Sequence, residues 1–493
     1  MNTQAAGRSS GPSWTPDLAT SLIVACSFAL AATVVVGRGV QPVAAMLIVV
    51  SALVAWHRWI LSWHVLLRLV IGVVLFIPVS RYSLPVNLPF GLEPWQVATA
   101  LVLLVWGASL LVDPRVRLRR TPLDAPVALI VVASLGSIVA NHGRVAPLVP
   151  AVLKGFTIFL SFVILFYFIS SVVKTAAAVV AVTKFIVSGV AVVAFFSIVE
   201  QRTGFNIFDQ VWRVFPFLQF HGPVTSLRYG LIRAIGSADH PIALGVLFAM
   251  AFPLGVALAR SRSPAWWAPT SLIMIGVLAS ASRTPIIAIV VAVVALLWLR
   301  PRDVLPLLPL MIPMLIVIKI VAPGSIATLK SSFLPSSGLI ASQHTLAGDP
   351  TLINGRANFK PKLLEGMRRP ILGQGLGTRQ TGADNPLRNA PILDNQWLGT
   401  FLDIGLLGIV GWLWLIVRIV RRLARVARTR GSPEGLLAAG FVGSIAGFAV
   451  AMVTYDSLAF VQETFVFWAL VALAATLVAV HPETEAFPSE PAV

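Results

Sequence analysis

Residues 241–259 read PIALGVLFAMAFPLGVALA, a run without one charged side chain. Wound as an α-helix at about 1.5 Å per residue, a run of this length approaches the ~30 Å hydrocarbon core of a bilayer. In hydrocarbon every backbone amide must find its partner within the protein, which for a single stretch means a helix. The flanks distinguish the two ends: SADH, residues 237–240, precedes the run, and Arg260 and Arg262 follow it. The stretch reads as one membrane span with a polar motif at one end and positive charge at the other.

Composition extends that reading to the whole chain. Of 493 residues, 57% are apolar and only 11% charged, with a mean hydropathy of +0.88. Soluble proteins average roughly 45–50% apolar and about 25% charged. A soluble enzyme on one anchor is therefore excluded. Cys26 is the only cysteine, so a disulfide scaffold is excluded too. Comparable apolar runs fall near 18–36, 41–56, 61–79, 96–112, 125–140, 150–173, 176–199, 265–282, 284–299, 304–321, 392–417, 434–453 and 462–480. With 241–259 they make fourteen candidates for an all-α polytopic membrane protein of about 12–14 transmembrane helices. The first run lacks a basic leader and continues past its small-residue sites, so it reads as an uncleaved span.

The formal charge of +18, from 37 Lys and Arg against 19 Asp and Glu, needs a separate account. Arg115, Arg117, Arg119 and Arg120 share one short loop; Arg418, Arg421, Arg422, Arg425, Arg428 and Arg430 share another. Arg260 with Arg262, and Arg300 with Arg302, mark two more. Counting spans puts all four on one side, which the positive-inside rule makes cytoplasmic, together with polar tails at 1–17 and 481–493. The connections 200–240 and 322–391 then face outward. The second carries eight bases against three acids, where insertion does not require positive charge. It is either a solvated basic loop or a surface for something anionic.

Several polar residues stand close to that outer face. Arg233 lies just before the eighth run, and Arg283 joins the ninth and tenth. Each either snorkels or meets an anion. In SADHP, Asp239 can cap a helix with Pro241 in its first turn, leaving His240 exposed beside it. ANFKPKLLEGMRR, residues 357–369, has the pattern of a short amphipathic helix. In GQGLGT, which follows, Gly373, Gly375 and Gly377 are either turn punctuation or a source of amides for a phosphate. Asp394 and Asn395 open the twelfth run, Asp394 as helix cap or as part of a site; Gly405 and Gly408 inside it permit close helix approach. Glu200 is a further acceptor-binding candidate.

Four of these pieces, in order, resemble the O-antigen ligase and O-antigen polymerase superfamily of bacterial membrane glycosyltransferases: RAIGSADHP (233–241), SASRTP (280–285), GRANF through GQGLG (355–377), and DNQWLGTFLDIGLLG (394–408). The resemblance covers about residues 200–415, between N-terminal helices at 18–199 and C-terminal helices at 416–480. It implies a GT-C-like helical fold with a large external loop between two late helices. The implied donor is a saccharide on a polyprenyl diphosphate, and the implied acceptor is a hydroxyl of a glycan or lipid. Transfer would be inverting and metal-independent, with no cofactor and no nucleic acid, at the outer face of the bacterial cytoplasmic membrane. By position Arg233 and Arg283 match the family's diphosphate-binding arginines; Arg356, Gly373 and Gly375 join them as substrate contacts. Asp394 stands where the ligase branch has a histidine, which fits polymerase-like members better. His344 and His240 are alternative bases, with ordinary pKa values nearer neutrality. A transporter or flippase is the rival class. Arg68, Lys184 and Lys319 lie in or near apolar runs, but no internal repeat is evident.

Overall fold

A computed structural model describes residues 62–85, 91–228, 231–310, 359–379, 393–429 and 432–481. The chain divides into two units, residues 1–67 and 68–493. The described part of the first is the opening of a helix that spans Trp63–Phe76 (α1). Everything below concerns the second.

Its helices are α2 (Pro94–Val112), α3 (Asp124–Ala140), α4 (Val149–Val172), α5 (Ala176–Thr203), α6 (Pro241–Ser261), α7 (Trp267–Ala279), α8 (Arg283–Leu299), α9 (Phe359–Gly366), α10 (Gln396–Arg428), α11 (Pro433–Ala451) and α12 (Val461–Val480). Eleven of the fourteen apolar runs coincide with helices; 18–36 and 41–56 lie outside the described residues, and 304–321 is described only to residue 310. Among the described residues seven helices are long and apolar enough to cross a membrane. Arg283–Leu299 becomes an eighth when joined to Pro301–Leu307 across a bend of 119°. The chain is an all-α polytopic membrane protein; the strands among the described residues form two-stranded antiparallel ribbons, Tyr82–Ser83 (β1) with Gln219–Phe220 (β2), and Ser226–Arg228 (β3) with Leu231–Arg233 (β4).

Local chemistry sets the ends. The Thr175 hydroxyl accepts the Ala178 N–H at 3.1 Å to start α5, and Gly204, at φ 75°, stops it. Ser432 caps α11, with Pro433 in the first turn. One expectation is corrected: the arginines from 418 to 428 are not in a loop. They continue α10 as helix, since arginine is a good helix former and the polar face can turn outward.

The interior is built around α6 and α12, both almost entirely buried, with α11 beside them. Gly440, Gly443 and Gly447 of α11 admit its neighbours closely: an added Cβ would meet Pro253 O at 3.0 Å, Pro253 Cβ at 3.0 Å and Ala288 O at 2.9 Å. This is small-residue packing, which apolar surface alone does not drive in lipid. Ser444 adds a hydroxyl bond to Met250 O at 2.6 Å, near the helix-interrupting Pro253.

Three of the arginine-rich segments meet at one end. Arg262 pairs with Glu434 at 3.0 Å, Arg300 donates to Thr429 O at 2.6 Å, and Arg428 lies 5.0 Å over the Trp298 ring. The sequence motifs occupy the other end.

Candidate functional site

The motif-bearing end starts from the turn Ala234–Asp239, which is held from four directions. Arg81 donates Nη1 to Asp209 Oδ1 at 2.6 Å and Nη2 to the carbonyls of Gly236 and, at 3.0 Å, Ala238. Glu200, buried in α5, accepts the N–H groups of Ile235 at 3.2 Å and Gly236 at 2.8 Å. Asn206 Nδ2 reaches Gly236 O at 2.9 Å, and Gln462 Nε2 reaches Ser237 Oγ at 2.9 Å. Gly236 is at φ 57°, and a Cβ there would meet Ser197 Oγ at 2.7 Å. Glu200 is thus committed to shaping this turn.

Arg233 leads into the turn. Its Nη2 donates to Ser282 Oγ at 2.7 Å and its Nε to Ser280 O at 3.3 Å, while Ala234 N–H bonds Ala279 O at 3.1 Å. The guanidinium is thereby tied to the residue preceding Arg283. Thr284, the next in line, shares a 2.7 Å hydroxyl bond with Thr454. The segment 452–456 in turn receives the start of α10: Gln396 N–H bonds Met452 O at 2.8 Å, and Leu393 N–H bonds Asp456 Oδ2 at 3.3 Å. The connection between α11 and α12 thus holds Thr284, which follows Arg283, and the start of α10 on either side of Asp394.

Two carboxylates are released from the capping roles that sequence alone permits. Asn395, not Asp394, caps α10, its Oδ1 accepting Leu398 N–H at 3.0 Å. Asp394 sits at φ 49°, a left-handed conformation that Asp tolerates better than most residues. His240, not Asp239, caps α6, its Nδ1 accepting Ile242 N–H at 3.2 Å. Burial, and then the charge of Arg233, push His240 down to about 4, so it is neutral near pH 7. With its Nδ1 lone pair spent on the cap, it is a poor base.

The glycine-rich segment has a different task from holding phosphate. At Gly405 (φ 67°, ψ −163°) α10 breaks. The freed groups are taken up by residues 370–375: Leu406 N–H bonds Pro370 O at 2.7 Å, Leu407 N–H bonds Ile371 O at 3.3 Å, and Gln374 N–H bonds Leu402 O at 2.7 Å. The Gly375 amide is shared between Asp403 O at 3.3 Å and Ser137 Oγ at 3.1 Å, and the Gly373 amide goes to Arg369 O at 3.0 Å. These two amides have no hydrogen left for a diphosphate, which corrects that expectation. Their φ values of 69° and 113° are what the close fit requires.

Beside this seam a cavity of about 540 Å³ opens. Glu93, Asp239, Asp403 and Asp456 line it, with Lys154 and Arg379 as its bases. Deeper, Trp95, Phe162, Trp412 and Trp468 form an aromatic wall. Arg379 holds Asp403 through two bonds, of 2.8 and 2.9 Å. Asp239 accepts from Ser80 Oγ at 3.4 Å through Oδ2, while its buried Oδ1 has no partner. Burial, and then the charge of Glu93, raise Asp239 to about 7, against the opposing pull of Arg81. Burial also raises Asp456, although Arg379 opposes it.

His344 and Arg356 lie outside the described residues. Arg81, Arg379, Asp403 and Asp456 were not signalled by sequence. Asp403 belongs to a quoted motif segment and Arg379 lies just past another, but nothing in a linear reading pairs them.

A search of curated proteins finds no relative of the chain. Residues 268–413, which run from α7 through the long connection into α10, match the model of the family described as O-antigen ligase, and through this region the chain is O-antigen ligase-like.

Proposed function

We propose that the protein transfers a saccharide from a polyprenyl-diphosphate carrier to an acceptor hydroxyl, at the outer face of a bacterial cytoplasmic membrane. The family match supports a membrane glycan-processing function. The observation that supports the finer reading is a set of three hydrogen bonds, Arg233 to Ser282, Thr284 with Thr454, and Gln396 to Met452, each at or next to one of the motif residues. These bonds support a reading in which Arg233, Arg283 and Asp394 serve one site, at the end of the bundle opposite the arginine-rich segments. By the positive-inside rule that end is external.

The chemistry asks for such residues. A diphosphate is already a good leaving group, so the protein must chiefly neutralise the charge that builds as the anomeric C–O bond breaks. Guanidinium groups do this with forked donors that match phosphate geometry. Arg233 is oriented by Ser280 and Ser282, so it need not be reorganised when charge develops. Asp394, next to the α10 cap, is assigned to the acceptor side in this reading.

Purified protein incubated with a labelled lipid-diphosphate saccharide and an acceptor tests the proposal. A new glycosidic bond is expected. Lipid translocation without one would instead establish a flippase. In a deletion strain, single repeat units on the carrier indicate a polymerase, and long glycan on the carrier indicates a ligase.

A further inference from the structure

The cavity beside Asp239 is poorly suited to the diphosphate. Four carboxylates line it against two bases, and one of those bases, Arg379, is already committed to Asp403. That balance repels a dianion. It suits an uncharged polyhydroxylated ring, whose hydroxyls donate to carboxylates and whose C–H faces can lie on aromatic side chains such as Trp95 and Phe159.

Among the four carboxylates Asp239 is the least engaged. Glu93 Oε2 accepts from Ser80 N–H and from Trp95 Nε1, each at 2.9 Å. Asp403 is forked to Arg379; Asp456 also has a buried Oδ1 without a partner, but its Oδ2 accepts Leu393 N–H and the charge of Arg379 faces it. Asp239 has one long bond to Ser80, a buried oxygen without a partner, and a backbone fixed by Arg81, Glu200 and Gln462. It also adjoins the proposed diphosphate site, since it precedes His240, which feels the charge of Arg233.

We propose that this cavity is the subsite for the acceptor saccharide and that Asp239 takes the proton from its attacking hydroxyl. The inference rests on the transfer reading above. In the step, the acceptor O–H bond breaks toward the Asp239 carboxylate as the acceptor oxygen bonds the anomeric carbon. The anomeric C–O bond to the diphosphate breaks, and its electron pair leaves on the phosphate, held by Arg233 and Arg283. Asp239 then returns its proton to water. The titratable and charged groups facing Asp239 are Glu93, which favours its protonated form, Arg81, which favours its ionised form, Glu463 of α12, and the neighbouring His240, which is neutral near pH 7. With its pKa raised to about 7, Asp239 is poised in the range where a general base works best at neutral pH.

The test uses full-length protein in detergent or nanodiscs, with transfer and donor binding measured separately. Asp239→Asn is expected to lower transfer about 100-fold or more while donor binding stays within about twofold. Wild-type transfer is expected to fall on the acid side of a pKa near 7. That limb should shift in Asp239→Glu and persist in Asp394→Asn. Transfer by Asp239→Asn at close to the wild-type rate would overturn the assignment and leave the transfer reading intact. Absence of any glycosidic product from wild type would remove the transfer reading itself. Should Asp239→Asn fail to fold, the wild-type profile decides: a flat rate across neutral pH overturns the proposal.

Discussion

Arg379, from the long connection, and Asp403, inside α10, form a two-pronged pair: Nε to Oδ1 at 2.8 Å and Nη2 to Oδ2 at 2.9 Å. Both side chains are largely buried, at 22% and 15% exposure. Removing one partner strands a charge away from water, so Arg379→Met should destabilise the protein by about 3 kcal/mol or more. Adding Asp403→Leu to that variant should recover much of the loss. Thermal unfolding in detergent, run as a double-mutant cycle, measures both. A single variant as stable as wild type would show that the pair contributes little.

Gly405→Ala should be poorly tolerated. A Cβ there would collide with the Ile371 carbonyl oxygen, and the residue's φ of 67° already disfavours a side chain. Backbone strain alone costs on the order of 1–3 kcal/mol, and the collision is with backbone that cannot swing aside. A lowered melting temperature and reduced yield of monodisperse protein are expected, with Gly107→Ala, which meets nothing within 4 Å, as the control.

Arg283→Ala should lower transfer on the order of 100- to 1,000-fold, by analogy with other donors that stabilise developing negative charge. Arg283→Lys should recover only part of this, because an ammonium does not reproduce the fork. Membrane insertion should be unchanged in both. Turnover by the alanine variant at the wild-type rate would remove Arg283 from the mechanism.

Stability against pH separates a functional Asp239 from a structural one. Its pKa is raised in the folded protein to about 7 from an ordinary value of 3.8, so between those values the folded state binds more protons than the unfolded state. Stability on this account falls as pH rises through that window. Asp239→Asn should therefore be more stable than wild type at pH 8, by on the order of 1–3 kcal/mol, with the difference shrinking toward pH 4. A structural role predicts the opposite sign at pH 8.

His240 runs the other way. Its pKa is lowered to about 4 from 6.5, so the unfolded state binds more protons between these values. Its contribution to stability is present above about pH 6.5 and is lost as pH falls toward 4. His240→Asn, which can still cap α6, should flatten this part of the acid-stability curve followed by thermal melts.

The helices were legible because apolar length is a local property: PIALGVLFAMAFPLGVALA became α6 with its expected start at Pro241. Caps were read one residue off at both motifs, since Asp394 and Asn395, like Asp239 and His240, are adjacent residues each able to accept an N–H. Only backbone geometry decides which one does. Glu200 is an acceptor-binding candidate by sequence, yet its partners are the amides of Ile235 and Gly236, 35 and 36 positions away. Arg81 and Asp456 carry no motif at all. Their importance comes from what other segments place against them, which neither periodicity nor spacing encodes.

The connection between α11 and α12 lies beyond residue 413, where the family match ends, yet Thr284, Gln396 and Leu393 are all seated on it. The matched region is therefore not a transplantable cassette. A chimera exchanging residues 268–413 with a relative would put foreign residues against Met452, Thr454 and Asp456. Exchanges meant to transfer sugar preference should carry the last two helices with them.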